Sequence, residues 1–296
     1  MKVLFATDGS VSALEAERLI TKIADRDQVI ITVLSVTPAG IPHLQDVPLM
    51  LDPLPARRKD ASAIVDAGVE RFLAAGFKAD GRVLEGAPGK QIVDLVEEDW
   101  HELTVLGAGS KSWMGHLLLG SVSNYVLHSA PNSVLIVHET IAATETARVL
   151  FGTDGSRGST VALSDYMDFA DPTRCDTTAM AVGQLPLEDF IPTVPIPPTI
   201  DPEVAEKLKQ ASEDRSARLA ESAVTRLRDE HFTATGRSLL GHPTSVLLEE
   251  ADKGRYDMVV VGSRGLGPVR RALLGSVSDK LARHTRAALI GRHINV

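Results

Sequence analysis

VLFATDGS, residues 3–10, returns as VLFGTDGS at residues 149–156. Each copy is an apolar run that stops at Thr-Asp-Gly. That pattern reads as a strand feeding a tight turn, with the following serine placed to cap a helix. A second string, LLGSVS, occurs at 118–123 and again at 273–278. The first pair lies 146 residues apart and the second 155, so the later copy carries nine extra residues between the landmarks. The Pro-rich stretch LPLEDFIPTVPIPPTIDP, residues 185–202, is the expected place for them, as an exposed loop or lid. Its counterpart, PAGIPHLQDVPLMLDPLP, begins at Pro38. A period near 150 residues means a duplicated domain rather than a solenoid. The expected domains are 1–142 and 147–296, joined at the small, polar ETIAATETAR of residues 139–148.

Strand and helix signals alternate within each copy. The first has strand candidates at Lys2–Ala6, Val29–Val36, Arg82–Leu84, Leu103–Leu106 and Ser133–Val137. The second has them at Arg148–Gly152, Thr178–Val182, Ser238–Leu240, Met258–Val261 and Ala288–Ile290. Val29–Val36 is β-branched without polar alternation, as a strand buried on both faces requires. Val65, Val69, Phe72 and Leu73 mark a helical stripe. Alternating strands and helices imply parallel strands joined by crossover helices, hence an α/β fold. Ser133–Val137 has the content of a sheet edge in need of a partner, so the two halves are expected to pack as a pseudo-twofold pair.

Composition narrows the class. The chain has 296 residues, 44% of them hydrophobic, which suits two globular domains. A net charge of −8 without a basic stripe argues against nucleic acid as a partner. No apolar run reaches the ~18 residues of a membrane span. The N-terminus meets Asp8 too early for a signal peptide, and Cys175 is the single cysteine. A cytoplasmic protein without a membrane partner is expected.

Ligands of an open parallel sheet sit beyond the carboxyl ends of its strands. In the second copy those ends carry Thr153-Asp154-Gly155 and the loop GSRGLGPVRRALLGS, residues 262–276. Gly262 and Gly265 are separated by two residues; nine more precede Gly275-Ser276, where a helix begins. Glycines let backbone amides turn toward an anion, and a helix start presents free N–H groups and a positive dipole end. Ser276 or Ser278 could add a hydroxyl, and Asp154 could accept from a ribose hydroxyl. A single GxxG is also ordinary helix punctuation; the whole conjunction is more specific. Other patterns fail. Gly86-Ala-Pro-Gly89-Lys90 lacks the spacing of a P-loop. Gly265-Leu-Gly267 has Arg270 at the third glycine position of a dinucleotide fingerprint. Nine scattered histidines make no metal motif, so no metal ligand is assigned.

The pattern G-x2-G-x9-G-S after VVV, together with VLFATDGS and SAPNSVLIV, resembles the nucleotide-binding subgroup of the universal stress protein family. The resemblance covers almost the whole chain. It implies two adenine-nucleotide alpha-hydrolase-like domains, each a five-stranded parallel sheet of order 3-2-1-4-5 with helices on both faces. It implies an intrachain pseudo-dimer, with a homodimer as the further option, and ATP as ligand, with Mg as an optional companion. By position, the contacts in the second copy would be Asp154, Val182 beside the base, Gly262, Gly265, Gly275, Ser276, Val277 and Ser278. In the first they would be Asp8, Val36, Gly107, Ser110, Gly120, Ser121, Val122 and Ser123.

The first copy departs from the pattern. Its loop reads GAGSKSWMGHLLLGS, with Ser110 at the second glycine and Gly109 beside it. It holds Lys111 and His116 where the second holds Arg264, Arg270 and Arg271. The second site is therefore expected to bind nucleotide more tightly. The leading function is a nucleotide-binding stress-response regulator with no catalytic residue and little or no turnover. A ligand-free interaction module is the alternative. An adenylylating enzyme fits less well, since HxGH and SGGxDS are both missing, and so does an ATP-hydrolysing one, since no residue is well placed as a general base.

Overall fold

The computed structural model describes residues 1–38, 54–109, 119–139, 146–184, 202–263 and 274–292. The first half runs β1 (Lys2–Ala6), α1 (Val11–Ile23), β2 (Ile30–Thr37), α2 (Leu54–Ala74), β3 (Lys78–Glu85), α3 (Pro88–Glu98), β4 (Leu103–Gly107), α4 (Ser121–Ser129) and β5 (Ser133–Val137). The second repeats it as β6 (Ala147–Thr153), α5 (Arg157–Phe169), β7 (Cys175–Gly183), α6 (Pro202–Asp229), β8 (Thr233–Leu240), α7 (Pro243–Lys253), β9 (Met258–Gly262), α8 (Ser276–His284) and β10 (Ala287–Gly291).

Within each half the strands are parallel, in the order 3-2-1-4-5 of that half. Strands β5 and β10 pair antiparallel, so the ten strands form one sheet. Each face carries one continuous apolar core drawn from both halves. Val3, Phe5, Leu19, Leu135, Phe151 and Leu289 belong to one; Leu4, Leu34, Val126, Leu150, Leu281 and Ile290 belong to the other. Neighbouring strand residues thus alternate between two buried faces, which is why the central strands are apolar throughout. The helix ends also meet across the junction, where Asp25 N–H donates to Phe169 O (2.9 Å) and Asp171 N–H to Ile23 O (2.8 Å).

Three sequence expectations shift. Strand β3 spans eight residues and β8 eight, whereas the apolar signal marked only the last part of each. Both are sheet edges with mostly exposed residues, so polar side chains conceal them. The helical stripe of α2 is Ala61, Val65 and Phe72, all buried, while Leu73 is 52% exposed; one residue past Phe72 turns the side chain about 100° off the face. The nine extra residues do not sit mainly in the Pro-rich stretch. Helix α6 has 28 residues against 21 in α2, so seven of the nine lengthen the helix. The Pro-rich segments themselves, 38–56 and 185–202, lie almost wholly outside the described residues.

Candidate functional site

Each half carries a cavity at the carboxyl ends of its strands, about 400 Å³ in the first and about 440 Å³ in the second. Both sizes suit a small-molecule ligand. Three segments build each cavity, and the two halves build it alike.

The first segment is the Thr-Asp-Gly-Ser turn. Gly9 and Gly155 stand at φ +75° and +77°, the left-handed region that glycine enters without a Cβ penalty. Asp8 Oδ1 accepts from Ser10 N–H (2.9 Å), and Asp154 Oδ1 accepts from Ser156 N–H (2.9 Å). Ser10 and Ser156 then cap α1 and α5, accepting from Ala13 and Ser159 amides. The turn thus holds each aspartate by one oxygen while the residue lines the cavity.

The second segment follows β4 and β9. Gly107 and Gly262 are not at positive φ. Their requirement is closeness. A Cβ on Gly107 would lie 2.5 Å from Ser12 C, and one on Gly262 would lie 2.6 Å from Gly158 C, both backbone atoms. The first glycine of the motif therefore lets a helix start pack on a strand end; it does not itself turn an amide inward. Gly109 does stand at φ +96°, and its N–H donates to Ser12 Oγ at 3.3 Å.

The third segment is the helix start. Gly120 and Gly275 are the N-caps of α4 and α8 and have no side chain with which to cap the first turn. The first-turn amides of Ser121–Ser123 and Ser276–Ser278 consequently have no intrahelical partner, and these residues line the cavities at the positive dipole end of each helix. Gly120 N–H donates to Ala108 O (2.7 Å) and Gly275 N–H to Ser263 O (2.8 Å), clamping helix start to strand end in both halves. Ser123 Oγ donates to Gly107 O and Ser278 Oγ to Gly262 O, each at 2.7 Å. Those hydroxyls are structural ties, so the hydroxyl offered at each helix start is that of the exposed Ser121 or Ser276.

Of the residues singled out from sequence, Asp154, Val182, Gly262, Ser276, Val277 and Ser278 line the second cavity, with Gly275 at its helix cap. Asp8, Val36, Gly107, Gly120, Ser121, Val122 and Ser123 line the first. Gly265 and Ser110, with Arg264, Arg270, Arg271, Lys111, His116 and Trp113, lie outside the described residues. Sequence reading missed the apolar floor of Leu34 and Ile92 in one cavity, Met180 and Leu247 in the other. It also missed the wall made by Pro88 and Pro243 at the starts of α3 and α7. A repeated Gly-x-Pro at 86–88 and 241–243 was the available signal; both glycines stand near φ +143° and donate to the end of the neighbouring strand. Among the described residues no group of three or more His, Cys, Asp or Glu is placed to hold a metal ion. No described helix is long and apolar enough to cross a membrane.

The profile of the Universal stress protein family matches this chain twice, at residues 1–138 and 145–290. A universal stress protein of Mycolicibacterium smegmatis is 34% identical over 184 residues, 61% of this chain and 58% of that protein. The chain's match thus spans little more than half the length of that relative. Universal stress protein Rv2623 of Mycobacterium tuberculosis is 26% identical over 97% of this chain and 95% of its own. The crystal structure of a universal stress protein from Archaeoglobus fulgidus superposes with a TM-score of 0.67 at 20% identity, covering 98% of both chains.

Proposed function

The chain belongs to the universal stress protein family, and on that footing we propose that it binds ATP in the cavity of each half and works as a nucleotide-responsive regulator with little or no turnover. The observation that carries this reading is the helix start at each cavity. Three backbone amides without an intrahelical partner and one exposed serine hydroxyl follow a glycine cap, and an aspartate lines the same cavity. In the second half the amides of Ser276–Ser278 and the Ser276 hydroxyl would hold phosphate oxygens. Asp154 would accept from a ribose hydroxyl, and Val182 with Met180 and Leu247 would pack the base. Asp154 is tied into its own turn, a geometry suited to positioning a sugar rather than to activating water.

The proposed domains are 1–142 and 147–296, the second with the stronger site. The antiparallel β5–β10 pairing supports reading them as an intrachain pseudo-dimer. Ser12 supports the order of affinities: it takes up the Gly109 amide in the first half, where the second half has Gly158.

The test is to denature freshly purified protein, identify any released adenine nucleotide, and then titrate the stripped protein with MgATP by calorimetry. Binding with a stoichiometry of one or two and slow release of phosphate supports the reading. No binding heat at millimolar nucleotide leaves the ligand-free interaction module, and steady turnover leaves the enzyme.

A further inference from the structure

Asn124 and Asp279 occupy the same position in the two phosphate-facing helices. Each closes the first turn of its helix: Asn124 N–H donates to Gly120 O (2.8 Å) and Asp279 N–H to Gly275 O (2.9 Å). Their side chains are joined by one cation. Arg283, a turn further along α8, donates to both carboxylate oxygens of Asp279 at 2.8–3.0 Å. Its Nη2 also donates to Asn124 Oδ1 in the other half, at 2.7 Å. His128 holds the matching position on α4. Its Nδ1 lies 2.7 Å from Asn124 O, and its Nε2 faces Asp279 Oδ1 at 3.7 Å. The four residues form a closed ring across the junction, and two of them, Asn124 and Asp279, follow directly in the chain on Ser121–Ser123 and Ser276–Ser278.

We infer that Arg283 is a positioning residue shared by the two cavities, and that it couples their occupancy so that nucleotide in the second half weakens binding in the first. The inference rests on the nucleotide reading above. An anion on the Ser276–Ser278 amides adds negative charge near Asp279 and strengthens the pull of the α8 start on the guanidinium. The same Nη2 serves Asn124, so the Asn124 bond weakens as Asp279 draws Arg283 toward α8. Helix α4 then loses the lateral support of the turn that presents Ser121–Ser123. Linkage makes the effect mutual: nucleotide in the first half weakens the second by the same factor. Arg283 also neutralises Asp279, a carboxylate at the start of a helix proposed to bind phosphate; the first half has the uncharged Asn124 there.

The test uses the full chain, MgATP and calorimetry. Ser276 is exposed at the helix start, so Ser276→Leu blocks the second site without adding charge or touching the core. The single step of this variant reports the first site alone. In the unaltered chain the weaker step reports the first site with the second filled. The expected result is a weaker step about fivefold weaker than the single step, a difference typical of coupled sites. Asn124→Ala, which leaves the Arg283–Asp279 pair intact, should bring the two values together. Arg283→Gln should weaken the second site, and adding Asp279→Asn should restore it. Equal first-site affinities in the unaltered chain and Ser276→Leu would overturn the coupling while leaving nucleotide binding standing. So would a difference that survives Asn124→Ala. Absence of any binding heat would sink both.

Discussion

Leu135 and Leu289 stand directly opposite one another across the antiparallel β5–β10 junction. They are equivalent residues, because Leu135 pairs with Val105 on β4 and Leu289 with Val260 on β9, the same position in each half. A local twofold axis therefore passes between them. Both side chains are fully buried in the same core, so the last strand of each half shields that of the other from water and from other chains.

Truncating either leucine should open a cavity at this axis. Leu135→Ala and Leu289→Ala are each expected to cost about 3 kcal/mol. Because the two residues face one another, the double variant should depart from additivity by roughly 0.5 kcal/mol or more. Urea denaturation of the four proteins of the cycle measures this. Strict additivity would show that the halves are stabilised independently of the junction.

Lys22 crosses the junction in another way. Its ammonium lies 2.9 Å from Asp257 Oδ1, and Asp257 is almost wholly buried at the start of β9. The other carboxylate oxygen accepts from Arg148 N–H at 2.9 Å. Lys22→Met leaves the buried carboxylate without its cation and is expected to cost about 3 kcal/mol. Asp257→Asn in the same background should recover part of that. A Lys22→Met protein with an unchanged denaturation midpoint would place the balancing charge elsewhere.

His138, just past β5, is buried, and burial holds its imidazole below the ordinary 6.5 despite the bond from Nε2–H to Ala282 O at 2.8 Å. The folded state thus resists protonation that the unfolded chain accepts. Stability contributed by this group is full above pH 6.5 and is lost as pH falls below it, toward the lowered folded value. His138→Gln keeps a donor for Ala282 without titrating. Its stability should fall less than that of the parent between pH 7 and 5, as read from thermal midpoints. Parallel curves would remove His138 from the acid response.

Ser12 gives the first cavity its distinct interior. Its hydroxyl takes the Gly109 amide at 3.3 Å and meets Ser10 Oγ at 3.2 Å. Ser12→Gly copies Gly158 of the second half and releases that amide toward the ligand. The expected effect is tighter nucleotide binding in the first cavity by about fivefold, the worth of one hydrogen bond. Calorimetry in the Ser276→Leu background reads it directly. Weaker binding would mean that the serine itself contacts the nucleotide.

The sequence alone determined what is local or repeated. The Thr-Asp-Gly-Ser turns depend on φ angles and short-range hydrogen bonds, so Asp8 and Asp154 were legible from eight-residue strings. The central strands were legible because a strand buried on both faces must be apolar. The helix starts at Ser121 and Ser276 were legible because a glycine cap before a serine is a local signal. Tertiary structure decided the rest. That Gly107 and Gly262 serve close packing depends on backbone atoms about 95 to 104 residues away in the chain. That Ser123 and Ser278 tie helix to strand, while Ser121 and Ser276 face the cavity, depends on how each helix is rotated over the sheet. Edge strands β3 and β8 carry an apolar signal only in their last part because one flank of each has no neighbour to bury it. The Arg283–Asn124 bond joins residues 159 apart through a pairing of strands, and no spacing in the chain records it.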